Sequence, residues 1–169
     1  MKICYDVETT GLDPQNDEIL SLSIIGSGGV LLYSCFFKPV YNSEWPDAQH
    51  VNGISPEYVA DAPLFSNERD KIQSIFDLAS LLIGHNIDFD NSFLRAAGIH
   101  IPNVESEDVM RQFVRFIEHT YNQTDVRWMK LIECADFFDY PWGGAAHGAT
   151  EDARATMFCY EQMARLSGN

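Results

Sequence analysis

The opening residues of the chain constrain its fold most, because they join a buried strand to two carboxylates. In the letters KICYDVETTG, Ile3, Tyr5 and Val7 alternate as one apolar face. A strand directs every second side chain to the same side, so Asp6 and Glu8 point together to the opposite face. Like charges repel each other, and burying a charge is costly. This strand therefore requires something that offsets two converging negative charges.

Hydrophobic patterns along the chain predict an α/β domain with a mixed five-stranded sheet, and we expect residues 1–169 to form a single domain. Three strands at 2–7, 18–25 and 30–37 form an antiparallel meander, with GSGG as one turn. Further strands are predicted at 81–86 and near 101–106. The predicted helices are a short one begun by Ser55 and Pro56, then 66–80, 90–97, 108–120, 128–138 and a last one capped by Thr150. Residues 38–54 are predicted to be irregular.

The composition limits the classes of partner and the compartment. The formal net charge is −14, from 11 basic and 25 acidic residues, which argues against a broad nucleic-acid-binding surface. A protein that holds a few nucleotides in one cleft remains allowed, because bound cations can supply positive charge. The four cysteines form no CxxC pair, and the chain has no apolar run of 18 residues and no signal-peptide pattern. These features predict a cytoplasmic protein with reduced thiols and no membrane association.

Four acidic residues are predicted to lie at the tips of strands and at a helix start, where α/β sheets build their sites. Asp6 and Glu8 end the first strand, Asp90 follows the fourth, and Asp152 opens the last helix. Carboxylate oxygens select hard divalent cations such as Mg²⁺ or Mn²⁺. Two such ions can clamp the attacking and leaving oxygens of a phosphodiester, and they would offset the repulsion between the carboxylates. Asp90 as a helix N-cap and Asp152 as a favourable first-turn charge are alternative interpretations.

A histidine precedes the last of these acids by five residues. On a continuous helix that spacing would put His147 and Asp152 about 140° apart. We therefore expect His147 in the glycine-rich loop before the helix. An imidazole there could take a proton from the attacking water, because it titrates near neutral pH.

Three blocks of the sequence resemble the motifs of the DEDD-type 3′–5′ exonucleases. The blocks are DVETTGLD at 6–13, HNIDFDNSFL at 85–94 and HGATEDARAT at 147–156. The histidine in the third block resembles the subgroup with a catalytic His, which includes the proofreading exonuclease subunit of bacterial DNA polymerase III. VNGISPEYVADAP at 51–63 also resembles the family, and RWMKLIECADFF at 127–138 together with the later AAHGATEDARAT looks like stand-alone bacterial and phage exonucleases. The resemblance implies a ribonuclease H-like fold and two-metal hydrolysis at a 3′ end.

The same resemblance implies roles for individual residues. Two ions, Mg²⁺ or Mn²⁺, would be held by Asp6, Glu8, Asp90 and Asp152, and His147 would be the general base. The implied substrate-binding residues are Thr9, Thr10, Gly11, Leu12, Asn86 and Phe89, with Leu12 against the terminal base. Family spacing selects Asp90 rather than Asp88 as the ligand. Asp108 receives a supporting role, because Val109 replaces the Thr that often follows it in the family. Asn52 stands where many relatives carry a His.

We therefore expect a metal-dependent 3′–5′ exonuclease that acts on single-stranded nucleic acid, with DNA favoured, and releases nucleoside 5′-monophosphates. The alternatives are an exoribonuclease that trims RNA or oligoribonucleotides, and a catalytically silent module that binds nucleic-acid ends. Homodimers occur among the relatives, and the sequence gives no sign of a polymerase-binding tail.

Two arginines and three tryptophans have more than one interpretation or are predicted to pack. Arg111 and Arg115 share a helix face that either contacts phosphates or is solvated and paired with residues such as Glu107. Trp128 is predicted to pack in the 128–138 helix, and Trp45 and Trp142 either pack or stack on a base.

Overall fold

A computed structural model of the protein describes residues 1–143 and 148–167. Within these residues the strands are β1 Lys2–Thr9, β2 Ile19–Gly26, β3 Leu31–Phe36, β4 Leu81–Gly84 and β5 Glu105–Asp108. The helices are α1 Pro46–Asn52, α2 Phe65–Asp77, α3 Ile87–Ala96, α4 Val109–Tyr121, α5 Leu131–Phe137 and α6 Ala149–Leu166. A 3₁₀ turn at Ser27–Gly29 joins β2 to β3.

The strands form one mixed sheet in the order β3-β2-β1-β4-β5. β1 pairs antiparallel with β2, and β2 pairs antiparallel with β3. β4 lies parallel to β1 on its other side, and β5 lies parallel to β4. The predicted meander of three strands plus two parallel strands is therefore confirmed. Because β1 and β4 are parallel, residues that end β1 and residues that follow β4 meet at the same edge of the sheet.

The two faces of β1 are buried in different apolar clusters. Ile3, Tyr5 and Val7 lie in a cluster that includes side chains of α2 and α3. Cys4 lies on the opposite face, in a cluster built largely from α4, α5 and α6. The Tyr5 hydroxyl donates to Asn91 Oδ1 at 2.7 Å, which ties α3 to the first face. Asp6 and Glu8 thus extend on the face covered by α6, as the alternation predicted.

A third cluster lies beneath α1, in a segment that was predicted to be irregular. Trp45 is buried with Leu20, Ile54 and Val59, and its Nε1 donates to the Ile54 carbonyl at 2.7 Å. The helix starts at a proline, and Gly53 ends it at φ 71°. The predicted short helix from Ser55 is wrong. Residues 56–61 form turns, in which Ser55 Oγ accepts from the Tyr58 amide.

Two helices and one strand near the site begin at residues other than those predicted. α3 begins at Ile87 rather than at residue 90, because Asn86 adopts a left-handed conformation and ends the preceding loop. β5 starts later than predicted, at Glu105. α5 starts at Leu131, so Trp128 lies outside the helix.

The predicted N-cap of the last helix is also wrong. Gly148 occupies that position, and Thr150 lies within α6. The Thr150 hydroxyl instead lies 2.7 Å from Ser23 Oγ on β2, so a tertiary contact to the sheet takes the place of a local cap. Among the described helices, none is long and apolar enough to cross a membrane.

Candidate metal and nucleotide site

Carboxylates from two elements converge at the edge of the sheet. Asp6 and Glu8 extend from β1, and Asp152 lies in the first turn of α6. One ligand oxygen from each of the three lies within 4.8 Å of the other two. All three side chains are half-buried. The structure therefore brings together three of the four acids that the sequence singled out, in a group that could hold a metal ion.

Asp90, the fourth acid, is buried against the same strand. Its Oδ1 accepts from the Val7 amide at 2.9 Å, between the two acids of β1. Asp88 is exposed and pairs with Arg111 at 2.9 Å. The geometry thus places Asp90 at the acidic group and Asp88 on the surface.

Hydrogen bonds to Asp108 help to position Asp90. Asp108 caps α4, and its Oδ1 accepts from the amides of both Met110 and Asn86 at 3.0 Å. Asn86 has φ 62° and ψ 47°, a left-handed conformation that asparagine tolerates better than most residues. This contact fixes the turn from β4 into α3, which places Asp90 in the first turn of α3.

The electrostatics of the group are unfavourable without a cation. Burial raises the pKa of Asp6 well above its usual value, and the charges of Asp90 and Glu8 raise it further. Burial and the charge of Asp152 raise the pKa of Glu8 to about 8. Burial raises the pKa of Asp90 to about 8 as well. A hard divalent cation would offset this repulsion, and a set of carboxylate oxygens is the ligand set that such a cation prefers.

A pocket of about 490 Å³ adjoins the acids, with Glu8 in its wall. Leu12 stands at the pocket with 84% of its surface exposed, whereas Phe89 is half-buried and packs on Phe93. Its lining is Val7, Glu8, Thr9, Thr10, Gly11, Leu12, Trp45, Pro46, Asp47, Ala48, Val51, Asn52 and Phe89. Five of the six predicted substrate-binding residues therefore line one pocket beside the carboxylates.

Local hydrogen bonds hold the turn after β1 in shape. Thr9 Oγ1 donates to the Gly11 carbonyl at 2.6 Å, and Thr10 Oγ1 lies 3.2 Å from Asp17 Oδ1. A Cβ at Gly11 would collide with the Asp17 carboxylate. Glycine is therefore required for the turn to close on Asp17.

The sequence interpretation missed one wall of this pocket. Helix α1 supplies Pro46, Ala48 and Val51. Asn52, at its end, donates from Nδ2 to the Thr9 carbonyl at 3.2 Å, and its amide beside Glu8 partly opposes the rise in the pKa of that carboxyl. The proline at the helix start and the resemblance of the VNGIS block were the signals that could have located this wall.

Asn86, the sixth predicted substrate-binding residue, lies in a separate cleft of about 550 Å³. Asp152 also lines this cleft, so the cleft borders the acidic group from another side. Its other lining residues are His85, Met110, Trp128, Met129, Lys130, Leu131, Ile132 and Trp142. Trp128 is 57% exposed, so its predicted packing in a helix is wrong. Arg111 pairs with Asp88 and Asp108 rather than with the glutamates considered from the sequence.

His147, the predicted general base, lies outside the described residues. Two residues that precede it in the chain, Trp142 and Gly143, are anchored by hydrogen bonds. Trp142 Nε1 donates to Asp136 Oδ1 at 3.1 Å, and the Gly143 amide donates to Glu151 Oε2 at 3.3 Å. α6 begins at Ala149, and the position of His147 in the loop before the helix stays a prediction.

The mixed sheet, the acids at the ends of its strands and the adjoining pocket define an α/β enzyme with a ribonuclease H-like architecture. A solved structure of Exonuclease X in complex with 5′ overhanging duplex DNA has this fold, with a TM-score of 0.71 and 19% identity. That match covers 100% of this chain and 94% of the other.

Sequence comparison then gives the family. The sequence model described as Exonuclease (RNase_T) matches residues 3–160, and the chain therefore belongs to this exonuclease family. DNA polymerase III subunit epsilon of Rickettsia typhi is 34% identical over 169 residues, which cover 90% of this chain and 69% of that protein. DNA polymerase III PolC-type of Caldanaerobacter subterraneus subsp. tengcongensis is 28% identical over 164 residues. That match covers 95% of this chain but only 11% of the much longer PolC protein. The resemblance to 3′–5′ exonucleases seen in the three motifs is confirmed.

Proposed function

We propose that this protein hydrolyses the terminal phosphodiester at the 3′ end of single-stranded nucleic acid, with DNA preferred, and releases nucleoside 5′-monophosphates. The pocket beside the acids carries this proposal. Its volume of about 490 Å³ lies within the range typical of small-molecule sites. Leu12, Ala48, Val51 and Phe89 give it apolar walls that suit a base, and Glu8 places the acids at its border.

The acids would hold two divalent cations, Mg²⁺ or Mn²⁺. Asp6, Glu8 and Asp152 supply the close group of oxygens, and Asp90 would support the second ion. When bound, the cations supply positive charge to the attacking and leaving oxygens of the phosphodiester. The raised pKa values of the acids mean that cations and protons compete for the same oxygens.

The remaining residues orient the end of the strand and move the proton. Leu12 and Phe89 would enclose the terminal base, and the braced turn from Thr9 to Gly11 would fix its sugar. His147 would take the proton of the attacking water, a role that rests on its spacing to Asp152. A base enclosed in this pocket must be unpaired, which favours single-stranded ends.

Two observations support DNA and a short contact. One sequence relative is named as a DNA polymerase III subunit, and the similar solved structure contains DNA. The net charge of −14 favours contacts limited to a few nucleotides, because a long acidic surface would repel further phosphates. Salt should therefore weaken binding only slightly.

The test is hydrolysis of 5′-labelled single-stranded DNA and RNA of matched sequence in Mg²⁺, Mn²⁺ or EDTA. We expect a ladder that shortens from the 3′ end, is faster for DNA and is abolished by EDTA and by His147→Ala. His119→Ala, at an exposed histidine on α4, is the matched control and should retain the ladder.

Three results would change the assignment. A ladder that persists in EDTA would refute the metal-dependent mechanism. Faster shortening of RNA would reassign the protein as an exoribonuclease. Binding of Mn²⁺ by a folded protein without any shortening would favour a silent end-binding module.

A further inference from the structure

Trp128 presents an exposed indole in the cleft that shares Asp152 with the acidic group. More than half of the residue is accessible to solvent, at 57%. Tryptophan is on average highly buried, because its large side chain has much apolar surface. The packing of the protein therefore does not account for the position of this indole.

The segment that carries Trp128 is held against α5. The Lys130 amide donates to Glu133 Oε2 at 2.8 Å, and Arg127 Nη1 donates to the same carboxylate at 3.0 Å. On the other side, Met129 and His85 line the same cleft. The hydrogen bonds to Glu133 tie the segment to α5. A side chain presented from a tethered segment loses less entropy when it binds a ligand.

Arg111 braces one face of the indole. Its guanidinium carbon lies 5.8 Å from the centre of the Trp128 ring, in a cation–π contact. The guanidinium is itself held by Asp88 at 2.9 Å and Asp108 at 3.4 Å. With Arg111 over the ring, 57% of the residue is still exposed, which leaves indole surface on which a planar group can stack.

The charge beside the indole suits a phosphate chain. Lys130 lines the same cleft, is exposed and makes no ion pair with any residue in the described ranges. An exposed aromatic ring beside cationic side chains is the usual arrangement for single-stranded nucleic acid, in which bases stack and phosphates meet Lys or Arg. A peptide or lipid would not need an aromatic face next to the acids of a hydrolytic site.

We infer that Trp128, braced by Arg111, is the stacking platform for the penultimate nucleotide, an inference that rests on the proposed exonuclease function. The terminal nucleotide occupies the pocket on the Glu8 side of the acids, and the cleft borders the acids on the Asp152 side. The scissile phosphate joins these two nucleotides, so the next base lies in the cleft. Stacking requires an unpaired base, which makes Trp128 a determinant of single-strand specificity.

The test is a binding cycle that changes the platform and the base separately. Affinities of 5′-labelled single-stranded tetranucleotides are measured by fluorescence anisotropy in Ca²⁺, which takes the same oxygen ligands, and each sample is checked for hydrolysis. One oligonucleotide is intact and one is abasic at the penultimate position. The proteins are wild type, Trp128→Ala, Trp128→Phe and Tyr41→Ala, the last being a control at an exposed aromatic residue outside the cleft.

Wild type should bind the abasic oligonucleotide roughly 5- to 100-fold more weakly, the range for loss of one stacked base. Trp128→Ala should bind both oligonucleotides equally weakly, Trp128→Phe should keep most of the difference, and Tyr41→Ala should match wild type. The inference is overturned if Trp128→Ala behaves like Tyr41→Ala, or if the penalty for the abasic site persists in Trp128→Ala.

The 3′ ladder of wild type separates this inference from the proposed function. A normal ladder together with no coupling between Trp128 and the penultimate base refutes the platform and leaves the exonuclease assignment intact. Coupling without any ladder refutes the hydrolytic function and supports the platform as a binding subsite. Thermal unfolding of each variant checks that it folds.

Discussion

Replacement of Glu8 by glutamine should stabilise the metal-free protein, and it should do so only at high pH. Burial beside Asp152 and Asp90 raises the pKa of Glu8 from its ordinary 4.5 to about 8. The folded protein therefore binds this proton more tightly than the unfolded chain does. The stability contributed by that proton is fully present below the unfolded pKa and is lost as the pH rises through the folded pKa. Glutamine removes this loss, because it has nearly the same shape and carries no charge.

The size of the effect follows from the shift in pKa. A difference of about 3.5 between the two pKa values, at 1.36 kcal/mol for each unit of pKa, sets an upper bound of about 5 kcal/mol. Shared repulsion among the acids and partial solvent access reduce this to about 2 kcal/mol. For a domain of this size, that gain raises the melting temperature by about 4–8 °C. At pH 5 only a small part of the gain should remain, because Glu8 is protonated in the folded state and the pH lies close to its unfolded pKa.

The assay is thermal unfolding followed by circular dichroism, in EDTA, at pH 5 and pH 8. Glu44→Gln changes an exposed carboxylate and should leave the melting temperature unchanged at both values. Addition of Mn²⁺ at pH 8 should raise the melting temperature of wild type more than that of Glu8→Gln, because a bound ion stabilises only the folded state. A variant that is less stable than wild type at pH 8 in EDTA would refute the electrostatic reasoning.

Three further changes separate chemistry, substrate binding and folding. Asp152→Asn should lower the rate of 3′ shortening by at least about a thousandfold without lowering the melting temperature, and a rate within tenfold of wild type would contradict its role as a metal ligand. Leu12→Ala should raise KM several-fold with little change in kcat, because the side chain is 84% exposed and is available to contact the terminal base. An unchanged KM in steady-state assays would place the terminal base elsewhere. Tyr5→Phe should cost about 1–3 kcal/mol in urea unfolding, because it leaves the buried Asn91 Oδ1 without its donor, and no loss would show that this hydrogen bond contributes nothing.

The sheet and the convergence of the acids were predictable because both depend on short, regular patterns. Alternation in β1 fixes which side chains share a face. Asp6 and Glu8 therefore share the face of Cys4, which α6 covers. The parallel pairing of β1 and β4 then brings the start of α3 to the same edge. The spacing of the three motifs supplied the rest of the candidate site.

The parts that were not predictable depend on contacts between distant residues. Helix α1 has only seven residues and no side-chain cap, and its register is set by the burial of Trp45. Threonine is a good N-cap residue, but the Thr150 hydroxyl hydrogen-bonds to Ser23 on the sheet instead of capping the helix. The start of α5 after Lys130 depends on Glu133, and this start leaves Trp128 exposed. Periodicity along the sequence contains none of these contacts.

The most direct test of the central claim is a Mn²⁺ titration of wild type and Asp6→Asn, with the rate of 3′ shortening measured on the same samples. Asp6 lies in the group that could hold a metal, and burial together with the charges of Asp90 and Glu8 raises its pKa. The predicted result is two ions bound by wild type, a rate that rises with occupancy, and loss of both binding and turnover in Asp6→Asn. Undiminished turnover in Asp6→Asn, or in wild type without bound Mn²⁺, would contradict the claim that these carboxylates hold the cations required for hydrolysis.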